Sequence, residues 1–281
     1  MTPTILHDGF AFIEGPRWHD GALWFSDMHD DTVWRAAPGK APEKMADVPG
    51  NPSGLGWLPD GRLLVVSMLD KQVLRQEPGG ALVRHADLSA IATRRANDMV
   101  VASTGHAWVG NFGFDFDTGE APAPAALAGI SPDGTATRAA DGLLFPNGMV
   151  ITPDGKTLIA AETFGAKLTA FDIGADNTLS NQRDWAALPE GAVPDGICLD
   201  AEGAVWAASP TTGTCIRLKE GGEVLDTITT GRQAIACALG GADGKTLFLS
   251  TAETTHRDKC RALRSARIET VDVAVPGTPT Y

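Results

Sequence analysis

The sequence predicts an all-β protein folded as a six-bladed β-propeller, and three observations support this prediction. Glycine and proline are frequent, at 32 and 18 of 281 residues, and they punctuate short apolar runs as in proteins of many short strands. A strand–turn–strand pattern recurs six times along the chain. No stretch stands out with the 3.6-residue apolar period of an amphipathic helix. We therefore expect residues 1–281 to form a single propeller domain.

The repeated unit is an apolar run, a tight turn that ends in glycine, and a second apolar run, as in Leu58–Val65 and Thr152–Ile159. Successive turn glycines are 40, 44, 50, 48 and 41 residues apart, and they are Gly21, Gly61, Gly105, Gly155, Gly203 and Gly244. A period of this length with several strands per unit is typical of propeller blades. Because glycine tolerates positive φ, we expect these turns to be two-residue hairpins.

Two further segments fit the same architecture. Ser131–Gly134 resembles the repeated turn but falls between two of them, so we assign it to an outer hairpin of blade three. The segment Ala266–Val275 partly alternates like a strand. It can pair with an N-terminal strand in one blade and close the ring, which removes open sheet edges.

Composition limits the partners. The formal net charge is −12 and there is no run of basic residues, which argues against nucleic acid and against anionic membranes. No apolar run approaches membrane-spanning length. Residues Met1–Phe12 lack the pattern of a signal peptide, so we expect a cytoplasmic protein. We expect it to be a monomer or a small homo-oligomer. The four cysteines lack paired metal spacing and are expected to be reduced thiols, mostly in strands.

Polar residues recur at one phase of the repeat, just before the predicted innermost strand of each blade. Eight residues before the turn glycines of blades two to six stand Ser53, Asn97, Asn147, Asp195 and Ala236, and seven before that of blade one stands Glu14. We expect the four larger polar side chains to converge on the axis. Two carboxylates and two amide oxygens suit Ca²⁺, or Mg²⁺ and Mn²⁺ with more water, and the absence of His and Cys disfavours a structural zinc site.

A simpler interpretation exists for two of these residues. Asn-Gly and Asp-Gly pairs form turns without any ligand role, and this would suffice for Asn147 or Asp195 alone. Four acceptors at one phase of the repeat favour the metal site instead.

At these residues the chain resembles the gluconolactonase family that includes regucalcin (senescence marker protein) and luciferin-regenerating enzyme. The matching stretches run in family order, and they are Glu14–Trp18, Leu23–Asp27, Arg95–Asp98, Phe145–Met149, Pro194–Ile197 and Leu239–Gly241. The resemblance implies a six-bladed propeller with one divalent metal, held by the residues Glu14, Asn147 and Asp195. It implies that Asn97 contacts the substrate, or ligates the metal as in related phosphotriesterases. It also implies substrate contact for Arg95 and a general-base role for Asp195.

The resemblance implies a metal-dependent lactonase that opens a small lactone, a sugar lactone such as gluconolactone above all. Ca²⁺ is the preferred metal, with Mg²⁺, Mn²⁺ or Zn²⁺ as alternatives, and no organic cofactor is needed. The metal would polarise the carbonyl while Asp195 takes a proton from water. A ligand carboxylate is a weak base, so activation of the water by the metal is the alternative. Two other functions stay open: a phosphotriesterase of the diisopropylfluorophosphatase type, and a non-catalytic calcium-binding regulatory propeller.

Other polar residues have two interpretations each. Arg94 is as good a surface charge as its neighbour Arg95, and Glu162 is either a channel residue or a strand-end carboxylate. Residues 111–128 form either a loop that supplies an apolar wall at the metal site or a strand followed by an outer linker. We expect no function for His106, while His29 cannot be placed from sequence.

Overall fold

The computed structural model describes residues 2–278, and in it six four-stranded antiparallel sheets surround one axis. The prediction of a six-bladed propeller is confirmed. The first strand is β1 (Thr4–Phe10). Blade one consists of β2 (Ile13–His19), β3 (Ala22–Asp27), β4 (Thr32–Ala36) and β5 (Glu43–Asp47), and blade two of β6 (Pro52–Trp57), β7 (Leu63–Ser67), β8 (Gln72–Gln76) and β9 (Leu82–Asp87). Blade three consists of β10 (Ala96–Val101), β11 (Ala107–Asn111), β12 (Ala125–Ile130) and β13 (Ala136–Leu143).

The second half of the chain repeats the arrangement. Blade four consists of β14 (Pro146–Ile151), β15 (Thr157–Glu162), β16 (Lys167–Ile173) and β17 (Leu179–Ala187), and blade five of β18 (Ile197–Leu199), β19 (Val205–Ser209), β20 (Thr214–Leu218) and β21 (Val224–Thr229). Blade six consists of β22 (Gln233–Gly240), β23 (Thr246–Ala252), β24 (Ala266–Asp272) and the first strand, β1. A 3₁₀ turn, Met28–Asp30, follows β3, and the helix α1 (Arg257–Leu263) joins β23 to β24. No helix within residues 2–278 is long and apolar enough to span a membrane.

The second strand of each blade is almost fully buried and the fourth is mostly exposed, which explains the residue types of these strands. The second strands are sandwiched between neighbouring blades, so β7 reads Leu-Leu-Val-Val-Ser with every residue buried. The fourth strands face solvent, and β21, which reads Val-Leu-Asp-Thr-Ile-Thr, has only one buried residue. The innermost strands β2, β6, β10, β14, β18 and β22 contact one another around the axis.

Ring closure occurs in blade six, whose strands come from both ends of the chain. β24 pairs with β23 on one side and with β1 on the other, with Thr270 opposite Thr4 and Ala266 opposite Phe10. The predicted pairing of the C-terminal strand with an N-terminal one is confirmed. Because strands from both ends of the chain pair within blade six, this blade holds the ring of blades closed.

The predicted turns are present, but their length was wrong in five blades. All six turn glycines have positive φ, and Ser131–Gly134 connects β12 to β13 within blade three as expected. Only blade one has a two-residue hairpin, Asp20-Gly21. In the other blades five residues separate the two strands, as at 58–62. There Gly61 N donates to Leu58 O and forms a first turn, and the left-handed conformation of Gly61 then directs the chain back into the strand pairing.

The cysteines are free thiols, as expected. Three lie in strands β18, β20 and β22, namely Cys198, Cys215 and Cys237, and Cys260 lies in α1.

Candidate active site

We call Glu14, Asn97, Asn147 and Asp195 the ring residues; each lies at or just before the start of an inner strand, at the same end of the axis. Glu14, Asn97 and Asn147 are the second residues of β2, β10 and β14, and Asp195 precedes β18 by two residues. Three therefore lie inside strands where the sequence had placed them just before. The reason is that pairing starts one residue earlier, for example at Pro146 opposite Glu162.

The four side chains line one cavity together with Arg95. The cavity encloses about 1150 Å³ of empty space, its open mouth included. All four ring residues are at most 8% exposed. The equivalent positions of blades two and six hold Ser53 and Ala236, both buried, as the repeat phase predicted.

A β-bulge recurs at or directly after the ring position. In β14 two residues, Asn147 and Gly148, oppose one residue of β15, and the same occurs at 97–98 in β10 and at 53–54 in β6; in β2 the bulge falls at Gly15 and Pro16, one residue after Glu14. A bulge adds one residue and re-aims a side chain without ending the strand. The ring is thus built into the backbone of the inner strands.

Glycines beside the ring allow neighbouring blades to approach. A Cβ on Gly148 would lie 2.6 Å from Ile197 N and 2.7 Å from Asp195 O in the next blade, and Gly148 N donates to that same oxygen at 3.1 Å. Asn147-Gly148 is therefore not a turn: its glycine is required by close packing, since its φ is not positive. The turn interpretation of this pair was wrong.

A hydrogen-bond network joins blades four and five at the ring. Asn147 Nδ2 donates to Asp195 Oδ1 at 2.5 Å and to Thr163 Oγ1 at 3.2 Å. Thr163 Oγ1 in turn donates to Pro194 O at 2.9 Å. Both amide hydrogens of Asn147 are thus used, so its Oδ1 is the atom left to accept.

The two ring carboxylates are poorly solvated. Burial, reinforced by the charges of Asp195 and Asp98, raises the pKa of Glu14 well above its usual range. Burial and Asp98 also raise the pKa of Asp195 to about 8, against the hydrogen bond from Asn147 that lowers it. The charge of Arg17 acts in the other direction on the pKa of Glu14, but its Nη2 is bonded to Asp98 Oδ1 at 2.9 Å and to Met99 O at 2.7 Å.

This Arg17–Asp98 ion pair is a buried salt bridge on the axis, but it lies outside the ring. Arg17 lines a second cavity, with Cys198 and Cys237, while the ring residues line the first. Neither Arg17 nor Asp98 lines the cavity that the ring residues share.

The donor set fits a hard divalent cation. Within residues 2–278 no three His, Cys, Asp or Glu side chains cluster as a metal site, and the ring reaches four oxygen donors only through the amides of Asn97 and Asn147. Carboxylate and amide oxygens are ligands of Ca²⁺ and Mg²⁺ rather than of structural zinc. A dication would also offset the burial and the repulsion from Asp195 and Asp98 that together raise the pKa of Glu14.

Arg95 and the long loop of blade three form one wall of the cavity. Arg95 precedes β10 by one residue, and its Nη2 bonds Asp117 Oδ2 at 2.5 Å. The sequence segment 111–128 divides into the end of β11, a loop over 112–124 and the start of β12, and Phe112, Phe116 and Asp117 of that loop line the cavity. The neighbouring Arg94 instead pairs with the exposed Glu120 at 3.1 Å.

Thr163 and His29 are among the cavity residues that escaped the sequence reasoning. Burial lowers the pKa of His29 to about 4, so its ring is neutral, and Nε2 lies 3.3 Å from Thr255 O. Both residues lie in connections between the second and third strand of a blade. In an antiparallel blade these connections emerge at the end where the inner strand starts, so topology could have placed them at the ring.

Glu162 was expected to be either a channel residue or a strand-end carboxylate, and the structure supports the second interpretation, since Glu162 ends β15. It is 2% exposed, and it accepts the Leu144 N–H at 2.7 Å and the Thr169 hydroxyl. It therefore holds the segment that leads into β14 and Asn147.

Comparison with known proteins agrees with this architecture. A pentonolactonase, XacC, of Haloferax volcanii is 24% identical over all of this chain and 98% of its own length. Regucalcin of Danio rerio is 27% identical over 59% of this chain, and the match spans only 57% of that relative. The crystal structure of a calcium-binding protein, regucalcin from Agrobacterium tumefaciens strain C58, superposes with a TM-score of 0.80 at 22% identity, covering 96% of this chain and 93% of that one. The family model for the SMP-30/gluconolactonase/LRE-like region matches residues 12–253, so the chain belongs to this family.

Proposed function

We propose that the protein is a divalent-metal-dependent hydrolase that opens a small lactone. The observation that carries the proposal is the convergence of four buried oxygen-bearing side chains from four blades in one solvent-open cavity. The pentonolactonase relative supports lactone chemistry, and a sugar lactone is the first substrate class to test.

Glu14, Asn147 and Asp195 would hold the metal, with Asn97 as a further ligand or as a substrate contact. Ca²⁺ fits the all-oxygen donor set best, and the calcium-binding regucalcin neighbour supports this choice. When bound, the metal would polarise the lactone carbonyl and stabilise the negative charge that develops on its oxygen.

Asp195 would act as the general base. Water adds to the carbonyl carbon and gives its proton to Asp195, the ring C–O bond breaks, and the proton passes to the leaving oxygen to yield a hydroxy acid. Arg95, oriented by Asp117, is placed to donate hydrogen bonds to the substrate from the cavity wall. Asn97 can do the same from the ring.

One experiment tests the proposal as a whole. Protein treated with a chelator is assayed on a panel of lactones and organophosphate triesters after Ca²⁺, Mg²⁺, Mn²⁺ or Zn²⁺ is restored singly. Lactone turnover that is lost with the chelator and restored by one metal is expected. Turnover of the phosphotriesters alone would replace the lactonase proposal, and metal binding without any turnover would favour a regulatory propeller.

A further inference from the structure

One side of the cavity is aromatic. We call Phe112, Phe116, Phe145 and Phe164 the aromatic wall; all four line the same cavity as the ring residues. Their rings contact one another, with centroids 4.1 Å apart for Phe112 and Phe145 and 5.5 Å apart for Phe145 and Phe164. Blades three and four supply the wall through the loop 112–124 and the segments that flank β14 and β15.

The backbone of Phe145 is strained in order to place its ring there. Its φ is +61°, a left-handed conformation that is rare for a bulky residue, and it directly precedes Pro146 and the ring residue Asn147. Such strain costs on the order of a few kcal/mol and is typical of functional sites. The ring of Phe145 is 7% exposed, and its surroundings hold it against the cavity.

Two members of the wall stay exposed. Phe116 is 48% and Phe164 is 40% exposed, although most large apolar side chains of the protein are buried. Their rings pack edge to face, with centroids 6.0 Å apart and planes inclined by 65°. Apolar surface kept in water beside a polar ring is available for a ligand.

The opposite side of the cavity is apolar as well, since Phe12 and Met28 line it. Elsewhere in the lining, Thr163 already donates to Pro194 O and Thr211 to Gly191 O at 2.7 Å. The polar side chain beside Met28 is His29, whose Nδ1 has no hydrogen-bond partner among the described residues. A fully hydroxylated sugar lactone would place the hydroxyl groups that face the aromatic wall against carbon, where unpaired polar groups are costly.

From this division of the cavity we propose that the substrate is a lactone that carries an alkyl or aryl group, with the lactone carbonyl at the ring and the apolar group on the aromatic wall. This inference rests on the proposed lactonase function and narrows it. The wall determines specificity, and Arg95 and Asn97 orient the polar end.

A matched series of six-membered lactones tests the inference: δ-valerolactone, the alkyl-substituted δ-decalactone and glucono-δ-lactone. We expect kcat/KM for δ-decalactone to exceed that for glucono-δ-lactone by at least about tenfold, since a few buried methylene groups supply this much. Phe116→Ala should lower kcat/KM for δ-decalactone by about tenfold, and more than it lowers that for δ-valerolactone. Val224→Ala, on the outer strand β21 and also exposed, is the control.

The outcomes separate the two proposals. A preference for glucono-δ-lactone, or equal losses on all substrates in Phe116→Ala, would overturn the inference and leave the lactonase function standing. Hydrolysis of none of the lactones with any metal would overturn the function itself. In that case calorimetric titration with the alkyl-substituted δ-lactam, which is not opened, decides the inference: binding weakened by Phe116→Ala supports it, and no binding rejects it.

Discussion

Asn147 Nδ2 donates to Asp195 Oδ1 over 2.5 Å, and this bond links the inner ends of blades four and five. The second amide hydrogen of Asn147 goes to Thr163 Oγ1. Since Thr163 itself donates to the carbonyl of Pro194, the threonine fixes which way the amide faces. The oxygen of Asn147 is thereby presented to the proposed metal position.

Thr163 should therefore tune metal affinity without touching the metal. We expect Thr163→Val, which keeps the shape but removes the hydroxyl, to weaken Ca²⁺ binding by about 10–100-fold, the range for loss of a group that orients a ligand. Thr163→Ser restores the hydroxyl and should restore affinity. Calorimetric Ca²⁺ titration of both variants is the measurement, and equal affinity in Thr163→Val and the parent would contradict the role.

Two glycines of blade four provide a second test, because they are constrained for different reasons. Gly148 has no room for a Cβ, whereas Gly155 has open space around it but a φ of +68°. Alanine at either position should cost about 1–3 kcal/mol of unfolding free energy, from crowding in one case and from left-handed strain in the other.

Only Gly148→Ala should impair the ring, since it forces apart the backbones that carry Asn147 and Asp195. We expect its Ca²⁺ affinity to fall at least about tenfold while Gly155→Ala binds like the parent. Urea unfolding measures the stabilities and calorimetry the affinities. Equal affinities in the two variants would show that ring geometry does not depend on this contact.

The sequence predicted the ring but not the cavity around it, and the difference has a physical cause. Asn97, Asn147 and Asp195 sit at a constant distance from a turn glycine because each blade repeats the same inner hairpin. Phe164 and His29 lie in four-residue connections between the second and third strands, where the residue types vary from blade to blade, so no repeated residue type marks them. The turn lengths were wrong for a related reason: Asp-Gly occurs both in two-residue hairpins and in longer turns that end in a left-handed glycine.

Stability of the metal-free protein should depend on pH through Asp195. Its pKa is about 8 in the folded, metal-free protein and its usual value is 3.8, so between these values the folded state holds a proton that the unfolded state has lost. The stabilising contribution is fully present below pH ~4 and is lost as the pH rises through 8, by up to about 1.4 kcal/mol per pH unit. Glu14, whose pKa is also raised, adds in the same direction.

We therefore expect the Tm of the chelated protein to be lower at pH ~9 than at pH ~6, and saturating Ca²⁺ to raise Tm more at the higher pH because it replaces the proton. Thermal unfolding at both pH values, with and without Ca²⁺, is the measurement. Asp195→Asn should show a smaller pH dependence in the chelated state. A Ca²⁺ effect on Tm that is the same at both pH values would contradict the proposed competition.

The prediction that a single substitution can most directly refute is the chemical role of Asp195. Asp195 and Glu14 are the two carboxylates of the ring, and the residue at the ring position of blade two, across from Asp195, is the small Ser53. We expect a small side chain there to leave space for water and substrate across from Asp195. Asp195→Asn keeps an oxygen at the ring and can still accept from Asn147, but it removes one charge and the proton acceptor. The variant should fold normally and bind metal more weakly, while lactone hydrolysis at saturating metal should fall at least about 10²-fold.

Asn147→Ala separates this role from simple loss of metal. It removes a ligand and leaves the carboxylate, so its activity should recover in part as the metal concentration rises, whereas that of Asp195→Asn should not. Both variants are assayed across a metal titration, with far-UV circular dichroism as the check on folding. Near-normal kcat in Asp195→Asn at saturating metal would exclude the base role, because a carboxamide cannot take the proton of the attacking water, and activation of the water would then have to come from the metal.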